Sequence, residues 1–186
     1  REMIQRHALI RKLSSVETLG SATTICSDKT GTLTQNEMTV TRIWADGQFV
    51  SVSGAGYTPK GDFLVDGKPV EAKQYPAILS TLWLGVLNND SLIETTGESD
   101  TNKTYRIVGD PTEGALLVAA AKAGAVHPDI KEAYPRENEV PFDSERKRMI
   151  TIHDVTKPSP SDPSPFYDEK QKGWDVIAVK GAPDIV

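Results

Sequence analysis

The chain has 186 residues, 38% of them hydrophobic and 25% charged, with a formal net charge of −5 and a single cysteine. That length holds one good core or two small ones, the acidic balance gives no support to a nucleic-acid partner, and a lone cysteine excludes an internal disulfide and a Cys-rich zinc site. The longest mainly apolar windows, Ile78 to Leu87 and Ala115 to Ala125, fall far short of the roughly 20 residues that span a bilayer.

Residues 1 to 18 carry Ile4, Leu9, Ile10, Leu13 and Val16 among Arg, Lys and His, an amphipathic start without the apolar core of a signal peptide. His7 reads as a solvated helix residue, since no second ligand stands near it. Ile25 and Cys26, after Thr23 and Thr24, predict the end of a buried strand, with Cys26 a small buried hydrophobe. Asp28-Lys29-Thr30-Gly31-Thr32-Leu33-Thr34 follows. An aspartate at a strand end before a Thr/Gly turn suits a nucleophilic carboxylate, because the turn's N–H groups and hydroxyls can face phosphate oxygens. Lys29 adds positive charge where phosphate charge would build up.

This run resembles the phosphorylation motif of the P-type ion-pumping ATPases. The resemblance implies that Asp28 takes the γ-phosphate of ATP as an aspartyl-phosphate, with Lys29 and Thr30 beside it. It also implies that the Asp28 carboxylate and the Thr30 carbonyl help hold Mg²⁺, a hard cation suited to oxygen ligands. Ala8 to Gly20 is similar to the segment joining a transmembrane helix to the phosphorylation strand in type II pumps. The expectation is therefore a soluble fragment from the cytoplasmic face of a larger membrane pump. Related phosphatases of the haloacid-dehalogenase type place a second Asp two residues after the nucleophile; Thr30 stands there, which implies a long-lived phosphoenzyme. A soluble phosphatase of that kind is one alternative, and an ATP-binding module without turnover is the other.

Gln35-Asn36-Glu37 reads as a hinge. Met38 to Ile43 alternates as a strand, Asp46-Gly47 signals a two-residue hairpin, and Gln48 to Ser53 forms the second strand. Gly54 to Gly61 is loop chemistry, similar to a Gly-Tyr-x-Pro-x-Gly stretch of calcium-pump-like members. Residues 62 to 75 read as an exposed hairpin around Asp66-Gly67. Pro76 opens a helix to Leu87 with Ile78, Leu79, Leu82, Trp83 and Val86 on one face. Trp83 is assigned to the core, and Asn88-Asn89-Asp90 ends the helix. Thr96-Gly97-Glu98-Ser99 repeats the letters of the family's dephosphorylation loop. That loop precedes the phosphorylation motif, so this copy is read as a polar turn.

Tyr105 to Val108 predicts a strand, and Pro111 opens a helix that runs to a Gly124 C-cap. Glu113 in its first turn suits the helix dipole. The run from Asp110 is also similar to a Glu/Asp-x-x-Glu-x-Ala-Leu segment of the nucleotide-binding domain, which implies that Glu113 accepts a hydrogen bond from the adenine amino group. Glu139 to Phe142 predicts a strand leading into Asp143-Ser144-Glu145-Arg146-Lys147-Arg148-Met149. An aromatic beside cations can stack a base while the cations answer phosphates. The order resembles the Phe-Ser-x-x-x-Lys-x-Met motif of that domain, which implies Phe142 as adenine shelf and Lys147 as phosphate contact. Ser144 and Arg146 are further candidates, and Asp143 stands where a Ser is common.

Met149 to His153 predicts a strand, Thr156 to Gly173 a Pro-rich mobile loop, and Trp174 to Lys180 the returning strand. Lys180-Gly181-Ala182-Pro183 then resembles the family's nucleotide-pocket signature, which implies that Lys180 lines the adenosine pocket and Gly181 lets the ligand approach. The expected architecture is α+β: residues 37–186 as a nucleotide-binding domain, a twisted antiparallel sheet with flanking helices. Residues 1–36 are expected to be an incomplete piece of the α/β phosphorylation domain, ending in the hinge. ATP and Mg²⁺ are the implied cofactors, and the rest of a pump, with its transmembrane and actuator domains, the implied partner. Calcium is the cation the resemblance favours, its ligands lying in transmembrane helices outside this sequence.

Overall fold

The computed structural model describes residues 14–97, 103–125, 127–155, 165–166 and 173–186. The chain divides into two compact units, Arg1–Asn36 and Glu37–Val186. In the first unit a short helix, α1 (Ser14–Gly20), precedes an extended stretch and a turn over Lys29–Leu33. Thr34 N–H closes that turn on the Lys29 carbonyl at 3.1 Å.

The second unit begins with two tight hairpins set by Asp-Gly pairs. Asp46 and Gly47 have φ of 51° and 73°, and Asp66 and Gly67 49° and 75°, the left-handed conformations that match the twist of two-residue hairpins. Strands β1 (Arg42–Ala45), β2 (Gln48–Val52), β3 (Phe63–Val65) and β4 (Lys68–Val70) form an antiparallel sheet in sequence order. Ile43, Val50, Val52 and Phe63 point from it into the core. Against it lies α2 (Pro76–Leu87), which buries Ile78, Leu79, Leu82, Trp83, Val86 and Leu87. A hairpin of β5 (Leu92–Thr96) and β6 (Thr104–Val108) leads to α3 (Pro111–Lys122), packed on α2. Helix α4 (His127–Ala133) follows. Strands β7 (Arg136–Asp143), β8 (Arg148–Asp154) and β9 (Asp175–Gly181) make a third antiparallel sheet.

The expected α+β, antiparallel architecture with flanking helices holds, with the strands distributed over three sheets. Helix α3 ends as its sequence predicts. Gly124 sits at φ 89°, and the N–H groups of Gly124 and Ala125 bond the carbonyls of Ala121 and Ala120 at 3.0 Å each, the reciprocal pattern of a glycine-terminated helix.

Four expectations are corrected. Ile25 and Cys26 are not a buried strand: Ile25 is 89% exposed and Cys26 is exposed. No strand pairs with this stretch among the described residues, and an extended segment without a ladder has nothing to bury against. The first strand of the hairpin begins at Arg42 rather than Met38, because Val40 and Ile43 both reach the core, a spacing that breaks two-residue alternation. The Asp66-Gly67 hairpin is not fully exposed: it extends the first sheet, which puts Phe63 underneath at 4% exposure. Helix α4 is an addition: residues 37–186 hold three α-helices among the described residues, where the sequence predicts two. His7, the Glu98-Ser99 pair and nearly all of the Pro-rich loop lie outside the described residues.

Candidate functional site

The site grows from the turn that ends α2. Asn88 is 1% exposed and Asn89 0%, and their side chains act as fasteners. Asn88 Nδ2 donates to the carbonyls of Met149 (3.0 Å) and Ala178 (2.8 Å), tying the helix end to β8 and β9. Asn89 Nδ2 donates to the carbonyls of Gly85 (3.0 Å) and Glu113 (2.9 Å), tying it to the first turn of α3. Asp110 caps that helix, its Oδ1 accepting from Thr112 N–H at 2.7 Å and Glu113 N–H at 3.3 Å. Hydrogen bonds from Thr112 hold the Asp110 carboxyl below its usual value.

These fasteners bring Glu113 and Lys180 together across 67 residues of sequence at 2.5 Å. Lys180 Nζ also donates to the Asn88 carbonyl at 2.8 Å. The other Glu113 oxygen accepts from Asp90 N–H at 3.0 Å, and Ser91 Oγ shares its single proton between that oxygen at 3.3 Å and the nearer Asp110 carbonyl at 3.1 Å. A carboxylate offers about four acceptor positions and an ammonium three donors, so among the described residues each group keeps at least one position open. With side chains 18% and 28% exposed, the pair is largely withdrawn from water, and removing one partner would strand a charge.

Beside the pair opens a hollow of about 560 Å³, lined by Asp90, Ser91, Gly109, Asp110, Thr112, Glu113, Leu116, Phe142 and Lys180. Its size is that of a small-molecule site. Phe142 is 62% exposed, an open aromatic face at the rim. A second hollow of about 310 Å³ lies between β3, β4 and the end of α3, lined by Asp62, Phe63, Glu71, Lys73 and Lys122 among others. Lys122 Nζ donates there to the Ser53 carbonyl at 2.7 Å, and burial pushes its pKa down. Its only aromatic, Phe63, is buried in the core.

The family described as P-type ATPase, cytoplasmic domain N, matches residues 78–186, which include every residue lining the larger hollow. A calcium-transporting ATPase of Bacillus subtilis is 43% identical over 185 residues, 99% of this chain and 18% of that protein. The chain belongs to the P-type ATPases. A cation-transporting ATPase of Synechocystis, pma1, is 46% identical over 82% of this chain and 17% of its own length. The human calcium-transporting ATPase type 2C member 1 is 43% identical over 79% of this chain and 15% of its own length. The chain thus spans under a fifth of the length of these relatives. The calcium-pump-like P-type resemblance read from the motifs is borne out.

Of the residues that this P-type resemblance singled out, the hollow gathers Glu113, Phe142 and Lys180. Ser144, Arg146 and Lys147 lie outside its lining, on the tight turn that joins β7 to β8. Asp143 Oδ1 accepts from the N–H groups of Glu145 (3.0 Å) and Arg146 (2.9 Å) and so folds that turn. Lys147 is left-handed at φ 49°, with Nζ 4.0 Å from Asp184. Gly181 is filled from within the protein: a Cβ there would meet the Lys147 carbonyl oxygen at 2.6 Å and Arg148 Cβ at 2.9 Å. The β7–β8 turn alone therefore accounts for a glycine.

In the first unit Asp28 is exposed, with Oδ1 accepting from Lys29 N–H at 2.7 Å. Thr30 is also exposed, and Gly31 takes φ 76°, so the turn opens after the carboxylate. Among the described residues no helix is long and apolar enough to cross a membrane. Sequence reasoning missed Asp90, Ser91, Asp110 and Thr112. The Asp-Pro helix start at 110 and 111 was a usable N-cap signal; Asn88 to Ser91 gave none beyond a helix end.

Proposed function

We propose that the second unit is the nucleotide-binding domain, holding ATP in the larger hollow. The first unit is then part of the phosphorylation domain, in which Asp28 receives the terminal phosphate. The observation that carries this is the open face of Phe142 on the same hollow as the paired Glu113 and Lys180. A base stacked on Phe142 would have its exocyclic N–H facing the spare acceptor position of Glu113 and a ring nitrogen facing the spare Lys180 donor. The lining holds three carboxylates, Asp90, Asp110 and Glu113, against one lysine. That sign is wrong for phosphates and right for the donors of a base and ribose. The triphosphate therefore leads away from the hollow, toward Arg146 and Lys147 on the exposed β7–β8 turn, with Ser144 beside them.

Asp28 is the nucleophile in this reading, attacking the γ-phosphorus in line while ADP leaves. Lys29 adds positive charge beside it. The Asp28 carboxylate and Thr30 carbonyl are hard oxygen donors on an exposed turn, which fits Mg²⁺ with its remaining positions left to phosphate and water. When bound, the ion would neutralise phosphate charge. The cation-transporting relatives make transport, with calcium favoured, the proposed work of the whole protein at the cytoplasmic face of a membrane.

Titration of the chain with ATP tests the binding step. Stacking on an aromatic contributes about 1–3 kcal/mol, so Phe142→Ala should weaken binding roughly tenfold or more; unchanged affinity would refute the shelf. Acid quenching after ATP and Mg²⁺, followed by hydroxylamine, tests the transfer. A hydroxylamine-labile label that is absent in Asp28→Asn supports it, whereas binding without label leaves this chain as a module that needs further parts for turnover.

A further inference from the structure

Arg136, at the start of β7, makes more hydrogen bonds than any side chain in the proposed pocket, yet it does not line the hollow. Its Nη1 donates to Asp90 Oδ1 at 2.7 Å and Glu139 Oε2 at 2.8 Å. Its Nη2 donates to the carbonyls of Leu87 at 3.1 Å and Asn89 at 2.9 Å. The two carbonyls belong to the C-terminal end of α2 and the turn after it, where unpaired carbonyls and the negative end of the helix dipole favour a cation. The guanidinium fork thus closes the helix end and holds the turn from Asn88 to Ser91 against the strand that carries Phe142.

We propose that Arg136 is a positioning residue for nucleotide recognition: it sets the distance between the base-edge groups and the aromatic shelf. The 88–91 turn supplies the Asn88 carbonyl to Lys180 and Asp90 N–H to Glu113, with Ser91 Oγ shared between Glu113 and the Asp110 carbonyl. Glu139 lies three residues before Phe142 on the same strand. One planar group with a 23% exposed side chain therefore links both walls of the hollow. Only arginine can donate to four acceptors in one plane; a lysine ammonium cannot reproduce that fork.

This inference rests on the nucleotide reading above, and its test separates the two. ATP and GTP are titrated against the 186-residue chain and its variants well below their melting temperatures. A carboxylate at the base edge selects the adenine amino group over the guanine carbonyl, so the ATP-to-GTP affinity ratio reports the pocket's geometry. Arg136→Met should lose roughly tenfold in ATP affinity, on the scale of a few lost charge-assisted hydrogen bonds, with the ratio falling toward one. Arg136→Lys should lie between it and the parent, and Glu139→Gln, which takes the charge from one exposed partner and leaves an acceptor oxygen, should shift both quantities by a few-fold. Arg106→Met, which breaks an exposed ion pair to Glu94 on the β5–β6 hairpin, should change neither. If Arg136→Met binds with parental affinity and ratio, or loses affinity only in step with its folded fraction, Arg136 is merely structural and the inference fails. If Arg136→Met does not fold, parental values in Arg136→Lys and Glu139→Gln overturn it equally. If the parent chain binds no ATP, the nucleotide reading falls and takes this one with it.

Discussion

His153 shows what single residues can and cannot announce. It is 2% exposed, with Nδ1 3.0 Å from the Tyr134 carbonyl and Nε2 2.9 Å from Thr151 Oγ1. The carbonyl can only accept, so Nδ1 carries the proton and Thr151 donates to Nε2. Burial, opposed by the Tyr134 carbonyl and reinforced by the nearby Arg136 charge, pushes its pKa below the usual 6.5. Above that value both the native and the unfolded histidine are neutral. Below it the unfolded chain takes up a proton that the native site resists, so stability falls as pH drops from about 6.5. Thermal midpoints from pH 8 to 5 should fall less steeply in His153→Gln than in the parent, and parallel profiles would contradict this. Asp110 is a simpler case: Asp110→Ala removes the α3 cap and should cost about 1 kcal/mol in urea unfolding, with Asp110→Asn retaining most of it. The cap could be read from an aspartate before a proline. The roles of His153 and Arg136 could not, because Arg136 meets Leu87 and Asp90 from 49 and 46 residues away.

Elements were legible where local chemistry decides them. The Asp-Gly pairs fixed two hairpins, and Pro76 with its apolar face fixed α2 to the residue. Ile25-Cys26 misled because β-branched and apolar residues make a strand only beside another strand. Ser144, Arg146 and Lys147 stand next to Phe142 in sequence, but a turn folded by Asp143 carries them out of the hollow's lining. Gly114 is the element-scale oddity, a glycine inside a helix otherwise built of good formers. A Cβ there would lie 2.5 Å from Ile107 Cγ2 and 2.6 Å from Cγ1, so the glycine lets α3 sit directly on β6. Gly114→Ala gains about 1 kcal/mol of helix propensity against roughly 1–3 kcal/mol of overpacking at a branched side chain. Net destabilisation in urea unfolding is expected. A stabilised variant would show that α3 and β6 pack less tightly than this.

At the scale of the whole molecule, the proposed function gives the first unit the nucleophile, the exposed Asp28, and the second unit the base site, the hollow with Phe142 at its rim. The chain's family could be read because unbroken motifs survive translation into a linear string, and the matching family and the relatives agree with them. Of the hollow's lining, Glu113, Phe142 and Lys180 could be read from those motifs, whereas Asp90, Ser91, Asp110 and Thr112 could not, since the lining comes from the turn after α2, the β6–α3 turn, α3, β7 and β9 together. The most direct measurement is an amide NMR titration of the chain with ATP. The largest shifts should fall at Asp90, Ser91, Gly109, Asp110, Thr112 to Leu116, Phe142 and Lys180. Shifts centred instead on Asp62, Glu71 and Lys122 around the smaller hollow, with Phe142 and Lys180 unmoved, would contradict the account.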